Sequence, residues 1–274
     1  MRMVASAKLH HTQGMTEAFL RYKDELGKIV DSLQLTADNS IQKEDQQGES
    51  QLSTGNSQLA TLIVPVSSNS GLCGAFNSNI AKATMQRVQE LESQGKQVRL
   101  LPIGKKIAHE LKKANKEFNA DFVPLLEKIE KSNNFTDVSA LVELAKEWYQ
   151  AQEINSVEFI YHHFKSMGSQ IIQVESLQLT SNLTPHTSNL SPLTEPSPQE
   201  LLTSLFPRLL NAQVYGILLD SLTSEHAARM LAMQTADDNA NDLLKELTLL
   251  YNKTRQQAIT NELIDIMGGQ SGKH

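Results

Sequence analysis

The sequence has little of several features that mark particular protein classes. Among its 274 residues there is one cysteine, Cys73, and aromatic residues make up only 5%. A single cysteine excludes an internal disulfide and agrees with a reducing compartment. The densest apolar run is the short stretch TLIVPV, far below the roughly 20 apolar residues that a membrane-spanning helix needs. The composition is that of a globular protein of one or two domains.

An excess of positive charge is also missing. The formal net charge is -6, and no basic stretch of the kind that binds nucleic acid stands out. We therefore expect any contact with a membrane or a nucleic acid to be made through partner proteins.

Motifs for catalysis are scarce as well. The element GLCG lies between a predicted strand and a predicted helix, where backbone amides can hold an anion. It lacks the rest of a G-x-G-x-x-G fingerprint, and the sequence contains no G-x-x-x-x-G-K-[ST] motif, so a nucleotide site is not favoured. Cys73 has no assignable histidine and acid, which favours a buried structural thiol over a nucleophile.

Two pairs of adjacent histidines, His10–His11 and His162–His163, are the most conspicuous potential metal ligands. Neighbouring residues point apart on a helix or a strand, so neither pair forms a chelating face. The sequence predicts no catalytic residue, no metal site and no cofactor.

Both ends of the chain have the heptad-like spacing of helices that pack along a narrow seam. The N-terminal seam contains Met15, Phe19, Tyr22, Leu26, Ile29 and Leu33. The C-terminal seam contains Met233, Ala236, Ala240, Leu243, Leu247 and Leu250. We interpret the two helices as halves of one coiled coil.

The C-terminal helix is too long for a compact domain. From about Pro207, a residue suited to a first helical turn, to Gly268 it would contain about 60 residues and extend about 90 Å. A compact domain of this chain length is about 50 Å across, so the helix must project. Continuing its seam beyond Leu250 gives the polar residues Thr254, Gln257 and Asn261, which predicts that the internal pairing weakens there.

The middle of the chain alternates strands and helices. Strands are predicted within 59–66, 97–104, 156–164 and 168–179, and helices within 71–95, 105–114 and 135–152. This alternation predicts a small, partly parallel, Rossmann-like α/β sheet with helices on its faces. The predicted organisation comprises a coiled-coil helix at 1–35, a polar loop at 36–59, the central α/β domain at 60–180, a Ser/Thr/Pro-rich loop at 181–199 and a coiled-coil helix at 200–268.

Three stretches, taken in order, resemble one family. They are MRMVASAKL at the start, SSNSGLCGAFNSNI after the first strand, and SEHAARMLAMQTADDNANDLLKELTLLYNKTRQQAITNELIDIMGG at the end. In these stretches the chain is similar to the gamma subunit of the F-type ATP synthase, the central rotor shaft. The resemblance implies a non-catalytic subunit that couples the flow of protons or sodium ions to ATP synthesis.

The resemblance also implies partners and sites. The expected partners are the alpha and beta subunits of the catalytic head, the epsilon subunit and the membrane c-ring, at the cytoplasmic side of a bacterial inner membrane. Arg255, Gln256 and Thr260 match family residues that hydrogen-bond a loop of the beta subunit. Glu195 is expected to face the membrane ring, although Thr194 stands where the family often has an aromatic residue.

Family members usually carry about two dozen residues before the methionine that matches Met1, about 36 Å of helix. We expect the reading frame to continue upstream, or the shaft to be shortened. Two other functions are alternatives for this sequence. A non-rotary coiled-coil scaffold explains the seams but not the ordered match of motifs, and an α/β enzyme would require a site that the sequence does not contain.

Overall fold

The computed structural model describes residues 2–41, 59–114, 116, 135–179, 195 and 198–271. In the first helix the side chains are described from residue 2 to residue 32, and in the last helix from 200 to 267. The described helices and strands, in chain order, are α1 (Arg2–Ile41), β1 (Ala60–Pro65), α2 (Phe76–Ser93), β2 (Val98–Leu100), α3 (Lys105–Lys113), α4 (Phe135–Gln150), β3 (Ile154–Ser166), β4 (Ser169–Leu177) and α5 (Pro198–Ser271). Most of the predicted loops at 36–59 and 181–199 lie outside the described residues.

The four strands form one mixed sheet in the order β2-β1-β3-β4. β1 runs parallel to β2 and to β3, with Ile63 opposite Leu100 and Val64 opposite Phe159. β3 and β4 are antiparallel and form a hairpin. The prediction of a small, partly parallel sheet is confirmed, because the four strands follow the four predicted segments.

Side chains of β1 alternate between two apolar cores, as the pleat requires. Leu62 and Val64 face a core that also contains residues of α4 and α5. Ile63 faces a second core, shared with α2 and α3. The sheet is thus covered on both faces, and α5 forms part of one cover.

A partly buried ion pair connects α2 to the sheet. Arg87 donates from Nε and Nη2 to the two carboxylate oxygens of Glu158, each at 2.8 Å. Such a bidentate pair fixes an orientation as well as a distance. The Glu158 hydrogen bond raises the pKa of Arg87, so the guanidinium stays charged at every relevant pH.

The loop that contains GLCG is held by contacts with the start of α3. Ser67 Oγ accepts a hydrogen bond from the Ile107 amide at 3.0 Å, and Asn69 Oδ1 accepts one from the Lys105 amide at 3.1 Å. Gly104 has φ +109, and a Cβ there would lie 2.4 Å from the Ser67 carbonyl oxygen, so only glycine fits. Cys73 is buried, as predicted.

Helices α1 and α5 lie side by side in antiparallel orientation. Arg2 contacts Asp237 at one end, with Nη1 and Oδ2 3.4 Å apart. Thr16 and Thr223 share a buried hydrogen bond of 3.0 Å between their hydroxyl oxygens. At the other end a small apolar cluster contains Leu26, Val30, Leu209 and Ala212. These contacts fix one continuous register along the pair.

The predicted seam of α1 is only partly correct: Phe19 packs against the apolar cluster shared with α5, and the side chain of Leu33 lies outside the described residues. Met15, Tyr22 and Ile29 are 43%, 52% and 49% exposed, whereas Leu26 is buried as predicted. The buried positions of α1 are Ala5, Leu9, Thr12, Thr16, Leu26 and Val30. Small and hydroxyl-bearing residues occupy much of the contact, so the large apolar residues did not mark it.

The start of α5 and its predicted seam also differ from expectation. The helix begins at Pro198, leaving Pro207 inside it, and its 74 residues extend about 111 Å at 1.5 Å per residue. Leu243, Leu247 and Leu250 were expected to face α1 but are about 60% exposed. The register explains this, because α1 begins at Arg2, opposite Asp237, and no described residue lies opposite the later positions.

None of the described helices combines the length and the apolar character needed to span a bilayer.

The adjacent histidines of β3 have different surroundings. His162 is 2% exposed and stacks on Phe76, with ring centroids 4.2 Å apart. His163 points to Asp220, with Nδ1 and Oδ2 2.6 Å apart. Burial lowers the pKa of His162 to about 4. The pKa of His226 on α5 is also lowered to about 4, by burial first and by Arg229 and Lys8 second.

Replacing Leu9 by alanine should destabilise the isolated subunit by about 2 to 5 kcal/mol, because its side chain is fully buried between α1 and α5. The matched change Leu247→Ala should alter stability by less than about 0.5 kcal/mol, because that side chain is 63% exposed. Denaturant unfolding of both variants measures the difference. Equal losses would show that the part of α5 that contains Leu247 packs in solution.

Acid should destabilise the protein through its two buried histidines. Each binds its proton more readily when unfolded, near pH 6.5, than when folded, near pH 4. Their contribution is therefore present above pH 6.5 and is lost as the pH falls towards 4, by at most about 3 kcal/mol per histidine. Comparing unfolding free energies of the wild type and His162→Leu from pH 7 to 4.5 measures the contribution of His162 to this pH dependence. Parallel curves would contradict the assignment.

Candidate partner-binding surface

The last part of α5 extends beyond all other described elements. Every residue from 234 to 267 is exposed. We call residues 238–267 the free segment, since they follow Asp237, the last contact with α1. At 1.5 Å per residue, these 30 positions extend about 45 Å.

The free segment is rich in exposed apolar side chains. They are Leu243, Leu244, Leu247, Leu249, Leu250, Tyr251, Ile259, Leu263, Ile264, Ile266 and Met267, each between 48% and 71% exposed. Single exposed apolar residues are ordinary on a protein surface, but a concentration of this size marks an interaction site.

These apolar residues do not form one stripe. At about 100° per residue, Leu244, Leu249 and Leu250 point in three directions that are about 100° to 140° apart. A single partner helix would cover a strip only about 100° wide. The free segment therefore fits an environment that surrounds the helix.

Polar residues are interspersed among the apolar ones. Arg255 and Gln256 are exposed neighbours, and Thr260 lies about one turn further along, on the side of Gln256. The three predicted head-contact residues thus lie within about 8 Å along the helix axis but are spread over about 140° of its circumference. Within the part of the chain that the structure describes, the Arg255 guanidinium forms no ion pair, so it is available to a partner.

Four threonines of the exposed part of α5 direct their hydroxyls back into the helix. Thr235, Thr248, Thr254 and Thr260 each donate a hydrogen bond to the carbonyl four residues earlier, at 3.1, 2.7, 2.9 and 2.8 Å. Their side chains consequently present methyl groups and acceptor lone pairs to the outside.

Glu195 lies at the opposite end of the molecule. Its side chain is exposed, just before the start of α5 at Pro198. From Pro198 to Arg255 the helix extends about 85 Å, so the structure does not bring Glu195 near the other predicted site residues. Two distinct surfaces are implied, one at each end of α5.

The sequence-based prediction missed the apolar residues that lie off the seam. Leu244, Leu249 and Tyr251 were not singled out, because only positions that fit spacings of three and four were considered. Their signal was present in the sequence, because apolar residues occur on every side of this segment, between its charged residues.

Comparison with known proteins places these features in a family. The family model described as ATP synthase matches residues 1–272. An ATP synthase gamma chain of Parabacteroides distasonis is 44% identical over 272 residues, covering 98% of this chain and 90% of the relative. The gamma chain of Bacteroides fragilis is 41% identical over 276 residues, covering 98% and 91%.

Solved structures agree with this assignment. The central stalk and c-ring structure of Tetrahymena thermophila mitochondrial ATP synthase contains a chain that matches with a TM-score of 0.58 at 25% identity, covering 86% of this chain and 97% of that one. A chain of the Euglena gracilis mitochondrial enzyme shares the fold, with a TM-score of 0.55 at 17% identity, covering 98% and 95%. The long helix with its exposed apolar end, the mixed sheet and the extent of these matches lead to one conclusion: the chain belongs to the ATP synthase gamma chain family.

Proposed function

We propose that this chain turns as the central shaft of an F-type ATP synthase, with the free segment of α5 enclosed by the alpha and beta subunits of the catalytic head. The observation that carries the proposal is the presence of apolar side chains on all sides of a helix that projects about 45 Å beyond α1. A surrounding protein sleeve would remove all of them from water, whereas one packing partner would leave most of them exposed.

The chain is a structural subunit of the synthase and not itself a catalyst. Its contribution is mechanical, because nucleotide binding and chemistry take place in the head. As the helix turns inside the sleeve, different side chains meet each surrounding subunit. Leu250, Tyr251 and Asn252 are exposed, differ in chemistry and point about 100° apart, so the shaft has unlike faces at nearly the same height. Unlike faces can favour different conformations of otherwise identical catalytic subunits.

The finer architecture supports the same role. We infer that α1 and α5 form an antiparallel coiled coil, since buried positions of α1 such as Ala5, Thr12 and Leu26 recur at multiples of seven residues. The domain between them, 60–180, is Rossmann-like in having parallel strands with a helical crossover. The shaft helices are assigned to 1–35 and 200–268, joined to the domain through 36–59 and 181–199.

Arg255, Gln256 and Thr260 are proposed to hydrogen-bond a loop of the beta subunit. Arg255 and Gln256 provide donors on one side of the helix. The Thr260 hydroxyl donates to the Gln256 carbonyl, and its oxygen can still accept a hydrogen bond from the partner. Bonds of about 0.5 to 3 kcal/mol each would register an angle of rotation and still break at every step.

The other end of α5 is assigned to the membrane side. Glu195 would face the membrane c-ring, and the epsilon subunit would bind nearby. The assembled complex would carry protons or sodium ions, and this subunit would lie at the cytoplasmic side of the bacterial inner membrane. Separation of about 85 Å between Glu195 and Arg255 along the helix matches a role that links ring and head.

Assembly with the head tests the proposed function directly. Co-expressed with alpha and beta subunits of the same organism, the chain should elute with them as one complex in size-exclusion chromatography. The double change Leu249→Asp and Leu250→Asp should abolish this, because two charges would enter an apolar sleeve, yet the isolated subunit should keep its melting temperature.

A matched control is available on the sheet. Ile171 of β4 is 43% exposed, so Ile171→Asp makes the same chemical change away from the free segment and should leave assembly with the head intact. Recovery of the wild-type chain only as a free monomer would point to a scaffold protein without a head partner.

Replacing Arg255 and Gln256 together by alanine should reduce ATP turnover by the assembled complex about ten- to thousandfold, because the lost hydrogen bonds together amount to a few kcal/mol. The melting temperature of the subunit should hardly change, because both residues are exposed and alanine favours helix.

The double change Thr254→Ala and Asn261→Ala serves as the control, since these exposed polar residues lie on the opposite side of the helix. Turnover close to that of the wild type is expected. Unchanged turnover in the Arg255 and Gln256 variant, or an equal loss in both variants, would remove the assignment of these residues to the head contact.

A further inference from the structure

The last part of β3 extends beyond the end of β1, its neighbour in the sheet. β1 ends at Pro65, and its last bond to β3 runs from the Val66 amide to the Ile160 carbonyl at 2.9 Å. β3 continues to Ser166 and pairs there with β4 on its other edge. Because backbone groups of alternate residues point to the same edge, His162 and Phe164 direct theirs to the side that β1 has left.

Helix α5 takes the place of the missing strand. Ser224 Oγ donates a hydrogen bond to the His162 carbonyl at 2.9 Å, and the Phe164 amide donates one to Asp220 Oδ1 at 2.9 Å. The other oxygen of Asp220 lies 2.6 Å from His163 Nδ1. Two side chains one helical turn apart thus bind three consecutive residues of the strand.

Burial separates this contact from other polar links between α5 and the central domain. Asp220 is 5% exposed and Ser224 is 0% exposed, so water cannot replace their bonds. By contrast, Arg229 Nη2 donates to the Ser70 hydroxyl at 2.8 Å, but Ser70 is exposed. The Asp220–Ser224 contact is therefore the buried, directional link.

The apolar residues of the same interface do not fix an orientation. Leu210, Val214 and Ile217 of α5 pack into the core of the sheet, and such burial is strong but does not depend on direction. Hydrogen bonds weaken steeply when their angles change. Apolar packing holds α5 and the central domain together, whereas the hydrogen bonds of Asp220 and Ser224 resist rotation of the domain about the helix.

We propose that Asp220 and Ser224 are positioning residues that fix the angle of the central α/β domain about the shaft and transmit rotation between them. This inference rests on the proposed function as a rotor. In the assembled synthase the domain on the ring side and the free segment in the head would then turn as one body. Without the contact, the domain would rotate at its apolar interface with α5 before the shaft itself turned.

Hydrogen exchange of the Phe164 amide tests the contact in the full-length chain. In Asp220→Ala the amide loses its acceptor, and exchange should become about ten- to hundredfold faster. In Asp220→Asn the side-chain carbonyl can still accept this bond, so protection should be kept. Wild-type protection in Asp220→Ala would overturn the inference.

Torsional stiffness tests transmission in the assembled complex. The head, formed with alpha and beta subunits, is fixed to a surface, and a bead is attached through Met167→Cys in the hairpin turn, in a Cys73→Ser background. The angular spread of the bead during pauses reports the stiffness between head and domain. The double change Asp220→Ala and Ser224→Ala should give a loss of stiffness, which Asp220→Asn with native Ser224 should restore.

Thr223→Val is the matched control, because Thr223 neighbours Ser224 and its buried hydroxyl bonds Thr16 of α1, not the sheet. Its angular spread should equal that of the wild type. Equal spread in the double variant, or an equally widened spread in the control, would overturn the inference. If the double variant fails to fold, Ser224→Ala alone decides the question by the same comparison. A wild-type complex whose bead never turns would instead refute the proposed function.

Discussion

The structure depends on the packing of one helix, α5, against one strand, β3. From Leu209 to Ser224, α5 packs on α1 on one side and on the sheet on another. It stays beside α1 as far as Asp237, and the residues that follow are exposed. A continuous helix carries displacement at one end to the other, because each turn is hydrogen-bonded to the next.

Regular segments of this fold could be predicted from the sequence with some accuracy. The strand at 59–66 was recognised because it is short and continuously apolar, and the hairpin because a turn separates two apolar runs. These signals are local, and they do not predict the register of β1 between β2 and β3, because every residue of β1 is buried whichever face it points to. Local patterns suffice where the contact surface is itself made of large apolar residues.

Contacts between distant helices could not be predicted in the same way. In α1 the buried stripe contains Ala5, Thr12 and Thr16, whose side chains are small or polar, so the large residues Met15 and Tyr22 suggested the wrong side. The bonds of Asp220 and Ser224 also gave no local signal. Their acceptor and donor groups belong to the backbone of β3, about 60 residues away in sequence, and any residue type could have provided them.

The exposure of the leucines in the free segment could not be inferred from the sequence. Leu243, Leu247 and Leu250 have the spacing of an internal seam, and spacing alone cannot tell whether a partner belongs to the same chain or to another. Only the register with α1 reveals that these residues lie beyond the last internal contact. The roles proposed for Arg255 and Gln256 come from the resemblance to a known family, because no physical pattern in the sequence would have assigned them.

The inward hydroxyls of Thr235, Thr248, Thr254 and Thr260 have a consequence for friction. A hydroxyl that pointed outwards would bond to each surrounding surface it met, and turning would require each of these bonds to break. Because the donors are satisfied within the helix, mostly methyl groups and acceptor lone pairs would face a moving neighbour. Dispersion contacts between such groups are weak one by one and are exchanged for equivalent ones as the surfaces slide. The donors of these four threonines would therefore add little friction in a tight sleeve, and the bonds that break at each step would be those proposed for residues such as Arg255 and Gln256.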